Sequence, residues 1–194
     1  MSQVYFTSDL HLQHTTICKY RPGFSTPEAH DEYMLSLFEK LPKRSLVIIL
    51  GDFLFAGPRT TEILERLGKL PYQIKLVMGN HDIRDIHKHL PDNITLQLPL
   101  HSYKSMWLTH CPIHPQEMRG RIGNVHGHLH LESIKDDKYF NVNIDVNNYE
   151  FVKAETIKNY FNKEKNAKLD APYISPFINS MASIPGLLGF DTRL

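Results

Sequence analysis

The stretch LVIILGD at residues 46–52 decides the fold class, because an uninterrupted apolar run ends there at a glycine and an aspartate. Its β-branched residues and its turn-forming end are typical of a short strand that is buried on both faces. Four further runs share this character, and they are Val4–Thr7, Ile74–Met78, Met106–Thr109 and the weaker Asn124–Val125. The sequence therefore predicts five short strands.

Amphipathic segments between these runs predict helices. Thr26 is a suitable N-cap with Pro27 at the first helical position. The apolar residues that follow form one stripe, namely Met34, Leu37, Phe38 and Leu41. Thr60 or Thr61 is predicted to cap a second helix. Strands that alternate with helices indicate βαβ crossovers and a largely parallel sheet, so the predicted fold class is α/β.

The later part of the chain has a different pattern. Apolar and polar residues alternate over Phe140–Val146 after a turn at Asp136-Asp137, which predicts a hairpin and a second, antiparallel part of the fold. Ala154–Lys163 is predicted to form a helix. We place one domain at residues 1–165, and we expect the apolar tail at residues 166–194 to pack on that domain or on a partner subunit.

Composition excludes several classes of protein. The 194 residues are 41% hydrophobic and 22% charged, which is typical of a folded domain. The net charge of +1 provides no bulk attraction to nucleic acid or to an anionic membrane. No apolar run approaches the roughly 18 residues that span a bilayer. We expect a cytoplasmic monomer, or a homo-oligomer formed through the tail, with Cys18 and Cys111 as buried, reduced thiols.

Aspartate, asparagine and histidine follow the predicted strands at the same position in each unit. In an open α/β sheet the carboxyl ends of parallel strands meet at one edge, where ligands bind. We therefore expect a common crevice lined by Asp9, His11, Asp52, Asn80, His81, His110, His128 and His130. One such residue alone is more often a helix cap or a hydrogen-bonded histidine, but five strand ends of this kind are not explained by caps.

The types of side chain in this crevice predict a metal centre. Buried carboxylates and imidazoles need a compensating cation, since an unpaired buried charge is costly. Carboxylate, imidazole and amide donors without thiolate favour Mn, with Fe, Zn, Co or Ni as alternatives. The candidate ligands are too many for one ion, which favours two ions roughly 3.5–4 Å apart with a bridging carboxylate.

Five sequence blocks, in this order, resemble those of the calcineurin-like metallophosphoesterase superfamily. The blocks are Asp9-x-His11, Gly51-Asp52, Gly79-Asn80-His81-Asp82, His110 and Gly127-His128-x-His130. Flanking residues, among them His14 and Arg21, resemble a branch of small stand-alone bacterial and phage phosphoesterases. The resemblance implies a four-layer α/β/β/α sandwich with mixed sheets and a metal-dependent phosphoric ester hydrolase.

The resemblance also implies a role for each matching residue. The first metal would be held by Asp9, His11 and His130, the second by Asn80, His110 and His128, and Asp52 would bridge them. His81 is then left as the general acid for the leaving oxygen, or as a hydrogen-bond donor to the phosphoryl group. Hydroxide formed between the metals would attack phosphorus in line, without a covalent enzyme intermediate.

Departures from known subgroups narrow the substrate class. Asp52 is followed by Phe53, where protein Ser/Thr phosphatases of the superfamily carry arginine. No stripe of basic and aromatic residues is present to follow a nucleic-acid strand. Small phosphoesters remain, with nucleotide mono- or diesters as leading candidates. The predicted substrate-binding residues are His14, Arg21, Asn80 and His81. The alternatives are a nuclease, a protein phosphatase, or a non-catalytic metal-binding scaffold.

Overall fold

The computed structural model describes the backbone of residues 3–170 and the side chains of residues 3–163. The chain divides into two units, residues 1–161 and residues 162–194, and both sheets lie in the first. The strands are β1 (Gln3–Thr7), β2 (Ser45–Leu50), β3 (Gln73–Val77), β4 (Ile94–Gln97), β5 (His101–Tyr103), β6 (Met106–Leu108), β7 (Gly123–His126), β8 (Tyr139–Asn141) and β9 (Val152–Lys153). The helices are α1 (Pro27–Glu39), α2 (Thr60–Gly68) and α3 (Ala154–Asp170).

The strands form two mixed sheets. The first sheet has the order β4-β3-β2-β1-β9, in which β1 to β4 are parallel and β9 runs antiparallel to β1. The second sheet has the order β5-β6-β7-β8, in which β5 is antiparallel to β6 and the other pairs are parallel. The predicted α/β sandwich with mixed sheets is therefore confirmed.

The first sheet is buried on both faces, and its two faces belong to different cores. In β2, Ile49 lies in a core that includes Phe38 of α1 and residues of α2. The neighbouring Ile48 lies in a second core with Val125 of β7 and Phe161 of α3. Successive side chains of a strand point to opposite faces. The helices α1 and α2 therefore cover one face of this sheet, and the second sheet covers the other.

The helices begin close to where the sequence predicts. At α1, the Thr26 hydroxyl accepts a hydrogen bond from the backbone N–H of Ala29 at 3.1 Å, as expected for an N-cap. The predicted threonine cap of α2 is wrong, because Arg59 occupies the N-cap position without a capping side-chain bond. The Thr60 hydroxyl instead donates to the Gly57 carbonyl at 2.8 Å.

The predicted hairpin over Phe140–Val146 is wrong. β8 ends at Asn141 and pairs in parallel with β7, and a short 3-10 turn follows at residues 144–146. Asparagine side chains divert the backbone, since Asn143 N–H donates to Asn141 Oδ1 at 2.9 Å and Asp145 N–H donates to Asn143 Oδ1 at 2.8 Å. Such local bonds compete with a sheet ladder. The alternating pattern therefore extends beyond the strand.

The sequence did not predict β4 and β5. β4 is one of the two edge strands of the first sheet and pairs with β3 alone. β5 and β6 form a hairpin whose two loop residues, Lys104 and Ser105, have φ values of 43° and 63°. A tight hairpin with this backbone usually carries Asn-Gly or Asp-Gly. The Lys-Ser pair at this turn therefore gives no recognisable turn signal.

Two expectations concern parts of the chain outside the described side chains. These are the domain boundary after residue 165 and the packing of the tail at residues 166–194, and both stay predictions. Among the described helices, none is both long enough and apolar enough to cross a membrane.

Candidate active site

Strand ends from both sheets meet at one place. Asp9 and His11 follow β1, Asp52 follows β2, Asn80 and His81 follow β3, His110 follows β6, and His128 and His130 follow β7. The contacts that join the sheets include the hydrogen bond from His128 N–H to Asp9 Oδ2 at 3.0 Å and the approach of His110 Nε2 to 3.4 Å from Asp52 Oδ2. The structure thus brings together the polar residues that the sequence predicts to share a crevice.

The Asp52 carboxylate lies between two groups of potential metal ligands. On one side, His11 Nε2 is 3.8 Å from Asp52 Oδ2 and 4.0 Å from Asp9 Oδ1. The donor atoms of Asp9, His11 and His130 all lie within 4.8 Å of one another. On the other side, His110 Nε2 approaches Asp52, Asn80 Oδ1 at 2.9 Å and His128 Nδ1 at 3.2 Å.

The pKa values of Asp9 and Asp52 are shifted in opposite directions by burial and by neighbouring charges. Burial raises the pKa of Asp9 above its usual value, although the neighbouring Ser8 hydroxyl and the charge of His110 act in the opposite direction. Burial also acts on Asp52, but a hydrogen bond from His110 and its charge outweigh it and lower the pKa of Asp52. The negative charge of Asp9 is therefore less well stabilised than that of Asp52. An adjacent cation would stabilise it.

His11 provides an independent test of whether a metal fits. Neither of its ring nitrogens has a hydrogen-bond partner in the described part of the chain, although both are buried. Burial lowers the pKa of His11, which keeps the imidazole neutral with a lone pair available. A buried imidazole without partners costs free energy, and here it lies beside two carboxylates. The residues present therefore fit a divalent cation.

Left-handed backbone conformations are concentrated at this site. A residue other than glycine rarely has a positive φ, and strain of this kind costs about 1–3 kcal/mol per residue. Five of the crevice residues nevertheless have it: Asp9 (58°), His11 (51°), Asp52 (49°), His128 (70°) and His130 (48°). The surrounding structure holds these residues against their local preference, as is common where side chains must converge on a ligand.

Two glycines make room for the crevice side chains themselves. A Cβ atom at Gly79 would collide with the carboxylate of Asp52, and one at Gly127 would collide with Ser8 and with the carboxylate of Asp9. Glycine at these strand ends therefore lets the loops of neighbouring strands pack against the two buried carboxylates.

His14 and His81 lie beside the ligand group. The ring centroids of both are 5.7 Å from that of His11. The His81 backbone N–H donates to Asp52 Oδ1 at 2.9 Å, while the residue is exposed. The His81 ring is thus open to solvent next to the candidate metal ligands, where a substrate would approach.

Arg21 does not lie in an open position. It is 2% exposed, and its guanidinium makes two bonds to Asp145, at 2.7 and 3.0 Å. It also donates to the carbonyls of Asp9 and Leu10 and contacts His30. This placement differs from the substrate contact expected from the sequence. It indicates instead that Arg21 holds the backbone of the first block in place.

Asp145 is a residue that the sequence analysis missed. Its carboxylate accepts a hydrogen bond from His130 Nδ1 at 2.9 Å and so orients the other ring nitrogen towards Asp9, 3.9 Å away. The bonds from His130 and Arg21 outweigh burial and hold the pKa of Asp145 well below its usual range. The signal in the sequence is an aspartate inside an apparent strand, where aspartate is disfavoured.

Asp82 is a second residue that positions the loops of the site. One carboxylate oxygen of Asp82 accepts hydrogen bonds from the N–H groups of Phe53 and Leu54, at 2.7 and 3.1 Å. The other oxygen accepts a hydrogen bond from the N–H of Gly79 at 2.7 Å. This single side chain therefore ties the loop after β2 to the loop after β3.

The prediction that both cysteines are buried is wrong. Cys18 is half-buried and Cys111 is exposed, and both are free thiols. The Cys111 sulfur lies within 4.8 Å of nitrogens of His110 and His128, at the edge of the candidate ligand group.

The fold and this site together define a class of protein: an α/β sandwich that presents carboxylate, imidazole and amide donors for metal ions at one edge of its sheets. A sequence model of the calcineurin-like phosphoesterase family matches residues 2–175, so the chain belongs to that family. It is accordingly a metal-dependent phosphoester hydrolase by class.

Individual relatives and one solved structure are similar to this chain. The Gene 66 protein of Mycobacterium phage D29 is 40% identical over 86 residues, which are 42% of this chain and 41% of that protein. The Gene 66 protein of Mycobacterium phage L5 is 29% identical over 169 residues, covering 69% of this chain and 80% of that protein. The crystal structure of a protein of unknown function, AQ665 from Aquifex aeolicus, has the same fold. Its TM-score is 0.63 at 24% identity, over 82% of this chain and 99% of that one.

Proposed function

We propose that the protein hydrolyses small phosphoesters, with nucleotide mono- or diesters as the substrate class, and that it uses two divalent metal ions, with Mn²⁺ first among the candidates. One observation carries this proposal: the buried carboxylate of Asp52 lies between His11 at 3.8 Å and His110 at 3.4 Å, where it can serve two ligand groups. The cytoplasmic location and the oligomeric state expected from the sequence stay predictions.

Side chains of this chain would coordinate both ions. In this proposal the first ion is held by Asp9, His11 and His130, the second by Asn80, His110 and His128, and Asp52 is shared. Divalent ions bound there would polarise the phosphoryl oxygens and provide a nucleophilic water of lowered pKa. Asp145 and Asp82 support the ligand geometry through the hydrogen bonds described above.

His81 is the proposed general acid. Its side chain is exposed, it lies next to Asp52 and His11, and it belongs to neither ligand group. A protonated imidazole in this position can donate a proton to the leaving oxygen as the P–O bond breaks. His14, whose ring centroid also lies 5.7 Å from that of His11, is proposed to contact the organic part of the substrate.

The test compares hydrolysis of p-nitrophenyl phosphate and bis(p-nitrophenyl) phosphate by metal-free protein to which Mn²⁺ is added. We expect turnover that EDTA abolishes and that Asp52→Asn lowers by about 100-fold or more, because this variant removes the shared ligand charge. Asp85→Asn is the control, since Asp85 is 64% exposed and pairs with Lys88. It should retain the wild-type rate.

Other outcomes separate the alternatives. The ratio of rates on the two esters distinguishes a monoesterase from a diesterase. A protein that binds Mn²⁺ but cleaves neither ester would be a scaffold, and faster cleavage of DNA than of both esters would favour a nuclease.

A further inference from the structure

Four rings form a nearly parallel series beside the candidate metal ligands. In order they are Tyr20, His14, Phe55 and His81, which we call the aromatic row. Successive ring centroids are 6.0, 4.7 and 5.3 Å apart, and the angles between successive ring planes are 18°, 6° and 21°. These separations and angles lie in the range of stacked aromatic pairs.

The inner part of the aromatic row borders the ligand group. The His11 ring centroid lies 5.7 Å from His14, 5.5 Å from Phe55 and 5.7 Å from His81. A phosphoryl group bound next to His11 and His81 would therefore have this row along one side. The organic part of such an ester has to extend away from the metal ligands, and the row borders that path with aromatic rings, of which the outermost, Tyr20, is exposed.

The outer end of the row is open. Tyr20 is 73% exposed, which makes it one of the most exposed large apolar side chains among the described residues. It follows the short 3-10 turn at residues 17–19, and its ring stacks on His14. His14 is held in turn by a hydrogen bond between Nε2 and the Thr16 hydroxyl at 3.3 Å. A ring that served only to fill the core would be buried, whereas this ring has accessible surface.

We propose that the aromatic row is a subsite that stacks the planar group of the substrate, which makes Tyr20 a specificity-determining residue for phosphoesters of nucleosides over those of sugars or aliphatic alcohols. This inference rests on the proposed function, because it assumes that a phosphoester is cleaved at the neighbouring metal ligands. Stacking does not depend on which base is present, since every base has a π-face. The subsite would therefore select for a planar group and not for one particular nucleotide.

The test uses two substrates with the same leaving oxygen. Adenosine 5′-monophosphate and ribose 5-phosphate both release a primary ribose hydroxyl, and they differ in the presence of the base. Phosphate release in Mn²⁺ gives kcat/KM for each, and the methyl esters of the same two compounds serve if the enzyme cleaves diesters. We expect wild-type protein to favour the adenosine ester by roughly ten-fold or more, the magnitude typical of one stacked base.

Variants of Tyr20 identify the side chain responsible. Tyr20→Ala should reduce the preference for the adenosine ester to nearly one, by raising KM for that ester more than it lowers kcat. Tyr20→Phe should retain the preference, because the ring is kept and only the hydroxyl is lost. Leu98→Ala is the matched control, since Leu98 is also 73% exposed and follows β4 at the edge of the first sheet. It should leave both kinetic constants unchanged.

Two results would overturn the proposal. Wild-type protein that cleaves both esters with equal kcat/KM has no subsite for a planar group, and the row then only supports the His81 ring. A preference that persists unchanged in Tyr20→Ala would assign the base to another surface. Failure to cleave any of the four compounds would contradict the proposed function itself, and this inference with it.

Discussion

At the scale of single residues, the site depends on a buried pair that lies far apart in sequence. Arg21 and Asp145 are 124 positions apart, yet Arg21 joins the Asp145 carboxylate to the carbonyls of Asp9 and Leu10. Asp145 in turn accepts a hydrogen bond from His130. Partners that orient a metal-binding histidine through its other ring nitrogen commonly affect metal affinity about 10–100-fold.

We therefore expect Asp145→Asn to weaken Mn²⁺ binding about 10–100-fold, because the amide lacks the charge that holds His130 and Arg21. Isothermal titration of metal-free protein with Mn²⁺ measures this, and urea denaturation without metal reports any separate loss of folding stability. The exposed acid variant Asp85→Asn should bind as wild type does. Unchanged affinity in a folded Asp145→Asn protein would show that the pair does not position the ligand.

At the scale of secondary-structure elements, charged side chains join α1 to α2 on the surface. Arg66 of α2 donates to Glu39 at 2.7 Å and to Glu32 at 2.5 Å, both on α1. Arg59, at the start of α2, also donates to Glu32. The bonds from Arg66 lower the pKa of Glu32 and of Glu39 below the ordinary value of 4.5. These groups are largely exposed, so solvent screens the interaction.

Arg66→Met keeps the apolar stem and removes the charge, and it should lower the free energy of unfolding by about 0.5–1 kcal/mol at neutral pH. Because the carboxyl pKa values are lowered in the folded protein, the contribution is present above pH 4.5 and is lost as the pH falls below it. Urea denaturation at pH 7 and pH 3 should show the difference between variant and wild type shrinking at the lower pH.

Salt and a control variant complete this test. The difference at pH 7 should also shrink in concentrated NaCl. Arg119→Met removes an exposed pair with Glu117 and should change stability little. A difference for Arg66→Met that grew on acidification would contradict the ionic explanation.

At the scale of the whole molecule, metal binding is expected to link the two sheets. Ligand candidates after β1, β2 and β3 belong to the first sheet, and those after β6 and β7 belong to the second. Without a cation, two buried carboxylates and several imidazoles lie close together, as the raised pKa of Asp9 indicates. A ligand that binds the folded state alone stabilises it by mass action.

Mn²⁺ at about one hundred times its Kd should therefore raise the free energy of unfolding by about 2.7 kcal/mol. Denaturation curves in Mn²⁺ and in EDTA measure the gain, and Asp52→Asn should lose most of it. An equal gain in Asp52→Asn would mean that the ion binds elsewhere.

Sequence alone predicted most of the residues that meet at the site, because strand propensity and turn residues are local and the carboxyl ends of parallel strands share one edge of a sheet. It thus predicted the parallel core of the first sheet and the crevice from Asp9 to His130. That His110, His128 and His130 reach the site from a second sheet was decided only by the tertiary structure. What only the tertiary structure decided are contacts between distant segments: the parallel pairing of β8, the burial of Arg21 against Asp145, and the stacking of Tyr20, His14, Phe55 and His81. These depend on which groups become neighbours after folding, and local patterns do not encode that.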